Sequence, residues 1–382
     1  MKSTIHGTLP NHSPAKSSSR SPFVSKEKRL MKHSTSYLTI ALTICLLACY
    51  RPASAQVIPQ AKTSAAPALT TFGVNTLVAW AGISSVSADG QTVHKVGYKY
   101  FYDGAWQTQQ IMPYGTPPGT EINTTAAPAL AQAEAEGDGL NHAYMAWRQD
   151  DGLVHYAVFD NSSNTFSITD PSICSSCETI SSPALAGDGT TLYAAWTTSS
   201  GTIQYASYTD AAWNIYSVDV PGVSTKVAPA LAAYGNDLYL AWVTEYNTIQ
   251  VEHATLPLSS SGATWTTMPA PAALTSVAPS LAFIGSVLPK VPERLYVAWN
   301  TGSAIDFESW NGSEWFSFTP PLPIPPGPLE NFTPAMNFFA TGTCPTNGYL
   351  NVAYTLGGSP AGQIELTTIN TSTYEPPLCG KL

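Results

Sequence analysis

Charge is scarce in this chain. Only 11% of its 382 residues are charged, and only two arginines, Arg148 and Arg294, follow residue 55. That part of the chain carries eight basic and 24 acidic residues, a net charge of −16, which makes nucleic acid and anionic membrane surfaces poor partners. No stretch shows the charged 3.6-residue period of a surface helix, whereas 31 prolines and 27 glycines favour short extended segments between turns. The sequence therefore predicts an all-β protein.

Long apolar runs are also scarce, and the run at residues 38–48 is too short to span a bilayer. It follows Lys32 and precedes Ala53-Ser54-Ala55, the order of an export signal, which predicts a signal peptide at residues 31–55 and a mature chain at 56–382. Residues 1–30 are then a disordered extension or follow a misplaced start. A second interpretation makes Cys49 the lipidated residue of a lipoprotein. Both predict a secreted or periplasmic protein with no transmembrane segment in the mature chain.

Cysteines are few, and four of them follow residue 55. Three pairings are open to them, and proximity in sequence favours Cys174 with Cys177 and Cys344 with Cys379. The Cys-Ser-Ser-Cys spacing also resembles a redox motif, but such motifs precede a helix that lowers the pKa of the thiol. A turn and a strand are predicted after Cys177. We therefore expect structural disulfides, in keeping with export.

One phrase recurs six times. It consists of a small residue, proline, a small residue and leucine or methionine, in repeats that start near residues 66, 127, 182, 228, 278 and 333. A second apolar run ends on alanine and an aromatic residue, a third alternates with period two, and in five units a fourth runs from an aromatic residue to a proline. Four short strands per unit of about 50 residues are typical of a propeller. The sequence predicts a six-bladed β-propeller of four-stranded antiparallel blades.

The amino terminus supplies the means to close this ring. Residues 57–60 match residues 219–222, which end the third unit, whereas the last unit has only a short, proline-broken fourth run at residues 374–379. An open blade would leave an unpaired strand edge. We therefore predict that residues 56–62 complete the sixth blade and that the Cys344–Cys379 disulfide pins its outer strand.

Two sets of aromatic residues follow the repeat. The first ends the second strand of each unit, and its members are Trp80, Trp147, Trp196, Trp242, Trp299 and Tyr354. Alanine precedes each of them, which favours a wedge between blades over a platform for a sugar ring. The second set starts the fourth strand, beside a loop, and comprises Trp106, Trp213, Trp265 and Trp315. We take these four as candidate ligand-binding residues, with a structural role as the alternative.

One unit departs from the others directly after the first aromatic set. Only the second unit has a charged residue there, Arg148, and Asp150 and His155 lie nearby. One interpretation is a polar ligand site that contains Arg148, Asp150 and His155 beside Trp147. The other is a surface ion pair between Arg148 and Asp150, which would contribute little stability.

The sequence indicates no metal or cofactor. Only four histidines follow residue 55, no metal-binding motif is present, and the acidic stretch 134–139 is interpreted as a solvated turn rather than a calcium loop. Sialidases of this architecture use three arginines and S-x-D-x-G-x-T-W boxes, so two arginines and the partial box at residues 87–90 exclude that reaction. A glycosidase needs two carboxylates at a suitable separation. Glu252 and Glu308 occupy one repeat position and would not converge unless they faced the axis.

A resemblance to a known family appears where a second strand is followed by a third strand and an aromatic residue. Residues 238–252 and 203–213 are examples. In outline and repeat count the chain resembles the six-bladed fucose-binding lectins, over most of residues 56–382. The resemblance implies sugar sites between blades, each with an arginine from the second strand, a glutamate from the third and an aromatic neighbour. The matching positions here are Leu77, Tyr144, Tyr193, Tyr239, Tyr296 and Asn351, then Tyr98, Tyr156, Tyr205, Val251, Phe307 and Leu366. Because none is charged, the resemblance implies the fold and no fucose-binding residue.

These observations favour an exported, non-catalytic propeller that binds a glycan, since the chain is rich in tryptophan, tyrosine, asparagine, threonine and serine and poor in charge. An extracellular or cell-envelope scaffold that binds another protein is the main alternative, and a glycoside hydrolase is the third.

Overall fold

Every regular element that the structure describes is a β-strand. The structure is a computed structural model, and it describes residues 56–63, 65–72, 75–86, 92–103, 105–112, 122, 124, 126–160, 163–168, 172–216, 220–259, 261–284, 294–317, 333–340, 348–356 and 362–370. No helix in these ranges is long and apolar enough to cross a membrane. The predicted extension and signal at residues 1–55, including Cys49, and the predicted Cys344–Cys379 disulfide lie outside the described residues.

The strands form six antiparallel sheets, one for each sequence repeat. The first strand among the described residues, β1, is Gln56–Thr63. Blade 1 contains β2 (Ala68–Phe72), β3 (Asn75–Val86), β4 (Thr92–Tyr102), β5 (Ala105–Trp106) and β6 (Gln110–Ile111). Blade 2 contains β7 (Ala129–Ala133), β8 (His142–Arg148), β9 (Val154–Asp160) and β10 (Thr165–Ser167). Blade 3 contains β11 (Ala184–Gly187), β12 (Leu192–Thr197), β13 (Ile203–Thr209) and β14 (Ala212–Ile215).

The remaining three blades repeat this order. Blade 4 contains β15 (Ala230–Tyr234), β16 (Asp237–Val243), β17 (Ile249–Thr255) and β18 (Thr266–Thr267). Blade 5 contains β19 (Ser280–Ile284), β20 (Arg294–Asn300), β21 (Ile305–Trp310) and β22 (Trp315–Ser317). Blade 6 contains β23 (Ala335–Ala340), β24 (Gly348–Leu356), β25 (Gly362–Asn370) and β1. The predicted six-bladed propeller is confirmed, although the outer strands are shorter than the runs that predicted them.

The amino terminus closes the ring, as predicted. Strand β1 pairs antiparallel with β25, and the first strands of neighbouring blades lie side by side around the axis, including β23 beside β2. Ile58 and Ala61 of β1 are buried in the cluster that joins blades 6 and 1. The Lys99 ammonium of β4 donates to the Pro59 carbonyl oxygen at 2.6 Å, so blade 1 holds the closing strand through a side chain as well.

Apolar packing between blades explains why the second strands are apolar on both faces. In β12 all six residues are buried, because each sheet is covered by a neighbour on either side. The first aromatic set is buried as well, between 0% and 5% exposed. Its members fill the space between blades, which supports their interpretation as wedges.

A buried threonine ties each of several linkers to the next blade. Thr63 and Thr275 each lie four residues before the proline of the repeat phrase. The hydroxyl of Thr275 donates to the carbonyl oxygen of Asn300, at the end of the second strand of blade 5, at 3.0 Å. Thr63 and Thr179 donate to the corresponding carbonyls of Ala81 and Thr197. The sequence pattern T-x-x-x-P thus marks a structural joint that the strand-based prediction did not include.

The linker from blade 2 to blade 3 contains the predicted disulfide between Cys174 and Cys177. Cys177 is buried in the cluster that joins these two blades, and its carbonyl accepts from the Val154 amide. The bridge therefore shapes the linker against β9, which is the structural role that the sequence favoured.

Candidate functional site

The second aromatic set lies in the grooves between blades. Trp106, Trp213, Trp265 and Trp315 are all half-buried, and each packs against the cluster between its own blade and the preceding one. The Trp315 indole Nε1 donates to the Pro269 carbonyl oxygen of blade 4 at 2.7 Å. By contrast, the Nε1 atoms of the other three are shielded from solvent and have no hydrogen-bond partner. These three grooves therefore each hold an unused donor.

A single position of the third strand carries charge in three blades. In blade 1 it is Lys99, whose ammonium reaches the outer strand of blade 6. In blade 5 it is Glu308, whose carboxylate accepts from the Ala272 amide of the preceding blade at 3.3 Å and from the Ser317 hydroxyl at 2.6 Å. In both blades the charged group therefore has a hydrogen-bond partner in the preceding blade, and Glu308 has a second partner in the outer strand of its own blade.

Glu252, at the same position in blade 4, is held differently. Its Oε1 accepts from the Thr267 hydroxyl at 3.3 Å, but its Oε2 is shielded from solvent and has no partner. The residue is only 7% exposed. Burial raises the pKa of the Glu252 carboxyl above its ordinary value, and the Thr267 hydrogen bond offsets this only in part. A buried carboxylate oxygen that accepts no hydrogen bond lowers the stability of the fold, and a further hydrogen-bond donor at this position would relieve that cost.

The groove between blades 3 and 4 thus combines two unused polar atoms. Glu252 lies opposite Thr267 in the sheet, and Trp265 lies two residues before Thr267, so both side chains are on the face of blade 4 that meets blade 3. Across the groove, Tyr205 meets Trp265 edge to face, with ring centroids 5.5 Å apart, and stacks on Tyr216 at 5.1 Å. We call these residues, Glu252, Trp265, Tyr205 and Tyr216, the blade 3/4 groove.

The connection between β17 and β18 covers this groove. The Ala263 amide donates to the Tyr205 hydroxyl at 2.7 Å, which joins the connection to blade 3. Gly262 has a φ of 105° and lies against the same hydroxyl, where a side chain would not fit. The connection is therefore held against Tyr205 at this groove.

The predicted polar cluster around Arg148 lies at one end of blade 2, away from the tryptophans of the second set. The Arg148 Nε donates to the Thr179 carbonyl oxygen at 2.7 Å, and in blade 3 the equivalent Thr197 donates to the Val227 carbonyl oxygen at 2.8 Å. Both residues therefore brace the linker that leaves their blade. His155 contacts Asp151 at 2.9 Å and lies on Trp147, while Asp150 accepts from Gln149. The structure brings Arg148, Asp150 and His155 to one hairpin end.

The acidic stretch 134–139 is not simply a solvated turn. Glu136 accepts the hydroxyls of Tyr144 and Tyr208 at 3.2 and 3.1 Å, which joins blade 2 to blade 3. Burial, together with the nearby Glu136 carboxylate, raises the pKa of both tyrosines. The exposed part is Gly137 to Gly139. Among the described residues no group of three histidine, cysteine, aspartate or glutamate side chains is arranged to hold a metal ion.

A cavity of about 490 Å³ lies on the propeller axis. Its floor is a ring of one apolar side chain from each blade, Leu69, Leu130, Leu185, Leu231, Leu281 and Met336, which also bounds a smaller space of about 140 Å³ between the repeat phrases. The walls rise from this ring along the first strands toward their hairpins. No aspartate or glutamate is among the described residues that line the cavity. Glu308 instead accepts from the Ala272 amide of the preceding blade, and Glu252 lies opposite Thr267 in blade 4.

Comparison with known proteins places the fold. No family model matches the chain, and no curated protein matches it. Among solved structures, the fucose-specific lectin from Aleuria aurantia is 14% identical, with a TM-score of 0.55 over 85% of this chain and 99% of that one. The chain shares the six-bladed propeller fold of that lectin.

Two further structures match over a similar extent. AofleA from Arthrobotrys oligospora is 13% identical, with a TM-score of 0.55 over 84% of this chain and 90% of its own. A mutant Trypanosoma rangeli sialidase with trans-sialidase activity is 10% identical, with a TM-score of 0.51 over 83% of this chain and 57% of its own. Lectins and an enzyme therefore share this fold, and the function must be argued from the residues of the chain.

The sequence named Trp265 as a ligand-binding candidate and considered Glu252 only as a possible glycosidase carboxylate. The available signal was the shared repeat position of Glu252 and Glu308. The sequence could not show that both carboxylate oxygens of Glu308 accept hydrogen bonds whereas only one oxygen of Glu252 does.

Proposed function

We propose that the chain is an exported, non-catalytic glycan-binding protein whose binding site is the blade 3/4 groove. The observation that carries this proposal is the pair of buried polar atoms without partners, the Oε2 of Glu252 and the Nε1 of Trp265, on one face of blade 4. The equivalent atoms of blade 5 are both used within the fold. The groove between blades 3 and 4 therefore has two polar atoms available for a ligand, whereas the similar groove between blades 4 and 5 uses the equivalent atoms within the fold.

The chemistry of the groove suits a sugar. A hydroxyl group can donate to Glu252 Oε2, a second oxygen can accept from Trp265 Nε1, and an aromatic face can pack on the C–H surface of a pyranose. No lysine or arginine contacts Glu252 among the described residues, so a neutral sugar is favoured over an anionic one. The fucose-specific lectins with the same fold support the glycan class. Without an arginine at the matching positions, fucose itself is not implied.

Glycan-array screening of the mature protein tests the proposal. We expect binding to neutral glycans that Glu252→Gln and Trp265→Ala each weaken by about tenfold or more, since each removes a ligand contact. The matched controls are Glu308→Gln and Trp315→Phe in the groove between blades 4 and 5, which should leave binding within about twofold. Absence of binding to any glycan, or equal losses in both grooves, would contradict the proposal.

Export belongs to the same proposal and has its own test. The mass of the processed amino terminus should correspond to a chain that begins at Gln56, or to a lipidated chain that begins at Cys49. A cell-associated protein that retains residues 31–55 would contradict export.

A protein-binding scaffold is the second candidate, because one surface favours it. Tyr246 and Leu274 are 76% and 70% exposed, and they lie together where the Thr275 amide donates to the Asn247 carbonyl oxygen. Exposed large apolar side chains that lie together are typical of contact surfaces. A negative glycan array, together with a partner whose binding is lost in the Tyr246→Ser and Leu274→Ser variants, would favour the scaffold.

A further inference from the structure

The axial cavity has the properties of a ligand site that is distinct from the blade 3/4 groove. Its volume of about 490 Å³ lies in the range of pockets for small molecules, roughly 300–1,000 Å³. The ring of five leucines and Met336 forms its floor and separates it from the smaller space between the repeat phrases.

The lining changes character above this floor. Two residues beyond the leucine ring, the first strands of blades 1 to 5 present Thr71, Gln132, Gly187, Ala233 and Phe283, five different residues, all of which line the cavity. The repeats have similar apolar residues in the leucine ring, where the first strands pack around the axis. They have different residues two positions further along these strands. Gly187 has a packing reason, since a side chain there would collide with the Gln132 carbonyl oxygen. The other four differences give the cavity an asymmetric wall.

One side of the wall is aromatic. Tyr234 and Phe283 stack with ring centroids 4.6 Å apart and an angle of 13° between the rings, and Tyr239 stacks on Phe283 from 5.7 Å. Tyr239 in turn packs on His253, which contacts Asp237 at 2.7 Å. The aromatic wall is thus fixed from behind by blade 4. The other side is lined by the polar residues Thr70, Thr71 and Gln132.

We propose that this axial cavity binds one small uncharged molecule that has an apolar, ring-shaped face. The face lies over the leucine floor and against Tyr234 and Phe283, and the hydrogen-bonding groups of the molecule point to Thr71 and Gln132. No lysine, arginine, aspartate or glutamate is among the described lining residues, so a charged molecule would lose its hydration without gaining a counter-charge.

Titration with the uncharged naphthalene dye prodan tests this inference. We expect a blue-shifted emission that saturates at one dye per chain, and no equivalent site for the anionic dye anilinonaphthalene sulfonate. Ala233→Trp fills the cavity and should weaken prodan binding by at least about tenfold. The control Ala212→Trp adds the same side chain on the exposed outer strand of blade 3 and should leave binding within about twofold.

Phe283→Ala provides a second test if Ala233→Trp does not fold, as judged by circular dichroism. This variant removes the central ring of the aromatic wall and should also weaken prodan binding. Saturation at several dyes per chain, or unchanged affinity in a folded cavity variant, would overturn the inference. Glu252→Gln should not affect prodan binding, so the outcome is independent of the proposed glycan site.

Discussion

At the residue scale, one side chain type has two roles in this propeller. The tryptophans in the second strands are buried wedges, whereas those in or beside the first residues of the outer strands are half-buried in grooves. Position in the repeat, rather than residue type, separates them. The alanine that precedes each wedge allows the next blade to approach, and this was readable from the sequence alone.

Substitution of a wedge should therefore reduce stability strongly. Trp196 is 0% exposed, and Trp196→Ala should lower the free energy of unfolding by about 3–5 kcal/mol, because it leaves a large cavity between blades 2 and 3. Urea denaturation followed by circular dichroism measures this. Trp213→Ala, in the same cluster but half-buried, serves as the comparison and should cost less. Equal losses for the two variants would contradict the distinction between wedge and groove residues.

The buried carboxyl of Glu252 should make stability depend on pH. Its folded-state pKa is raised by burial, so between the ordinary glutamate value of about 4.3 and the raised value the folded chain binds more protons than the unfolded chain. The free energy of unfolding therefore falls as pH rises through that window. Glu252→Gln does not titrate, so its stability relative to the native chain should increase from pH 4 to pH 7.

Thermal unfolding of both proteins across this pH range measures the effect. Glu245→Gln, which changes an exposed glutamate in the same blade, is the control and should show no such trend. A constant difference between Glu252→Gln and the native chain at all pH values would argue against a buried, poorly partnered carboxyl.

At the scale of elements, the linkers between blades are as specific as the strands. The buried threonine before each of several repeat phrases bonds across to the end of the next second strand, so it sets where the following blade begins. Arg148 and Thr197, at the ends of second strands, donate hydrogen bonds to the linkers that leave their own blades. This explains why the unusual Arg148 fits a structural position without requiring a ligand.

Removal of one threonine hydroxyl should therefore destabilise the fold measurably. Thr275 is 5% exposed, and Thr275→Val keeps its shape but leaves the Asn300 carbonyl without this donor. We expect a loss of about 1 kcal/mol or more in the free energy of unfolding by urea denaturation. Thr301→Val removes an exposed hydroxyl that donates to the Ala304 carbonyl oxygen, and it should cost less. Equal stability of the two variants would show that the Thr275 hydrogen bond does not stabilise the linker.

At the scale of the whole molecule, the sequence predicted the fold better than the site. Repeat phrases, period-two alternation and the orphan run at residues 57–60 specify six blades and their closure, because each follows from local strand geometry. The blade 3/4 groove depends instead on whether Glu252 Oε2 finds a donor across a blade interface. That is a three-dimensional relation between units that are nearly alike in sequence. The axial cavity was hidden for the same reason, since its lining combines the first strands of all six blades.

Ring closure makes the stability of the propeller depend on strand β1, residues Gln56–Thr63. Deletion of residues 56–61 removes the buried Ile58 and Ala61, takes away the carbonyl that Lys99 binds, and exposes the edge of β25. We expect a loss of roughly 3 kcal/mol or more in the free energy of unfolding, together with association that increases with protein concentration, because a free strand edge pairs with other chains. Calorimetry and light scattering measure the two effects.

A synthetic peptide of residues 56–63 should restore part of that stability, since it can pair with β25 as the native strand does. Val57→Ser in the intact chain is the matched control, because Val57 is 42% exposed and its replacement leaves the strand pairing in place. A deletion variant as stable and monomeric as the intact chain would show that blades 1 to 6 hold together without β1. The ring would then be closed by the contacts among the first strands, with the amino terminus only an accessory to the sixth blade.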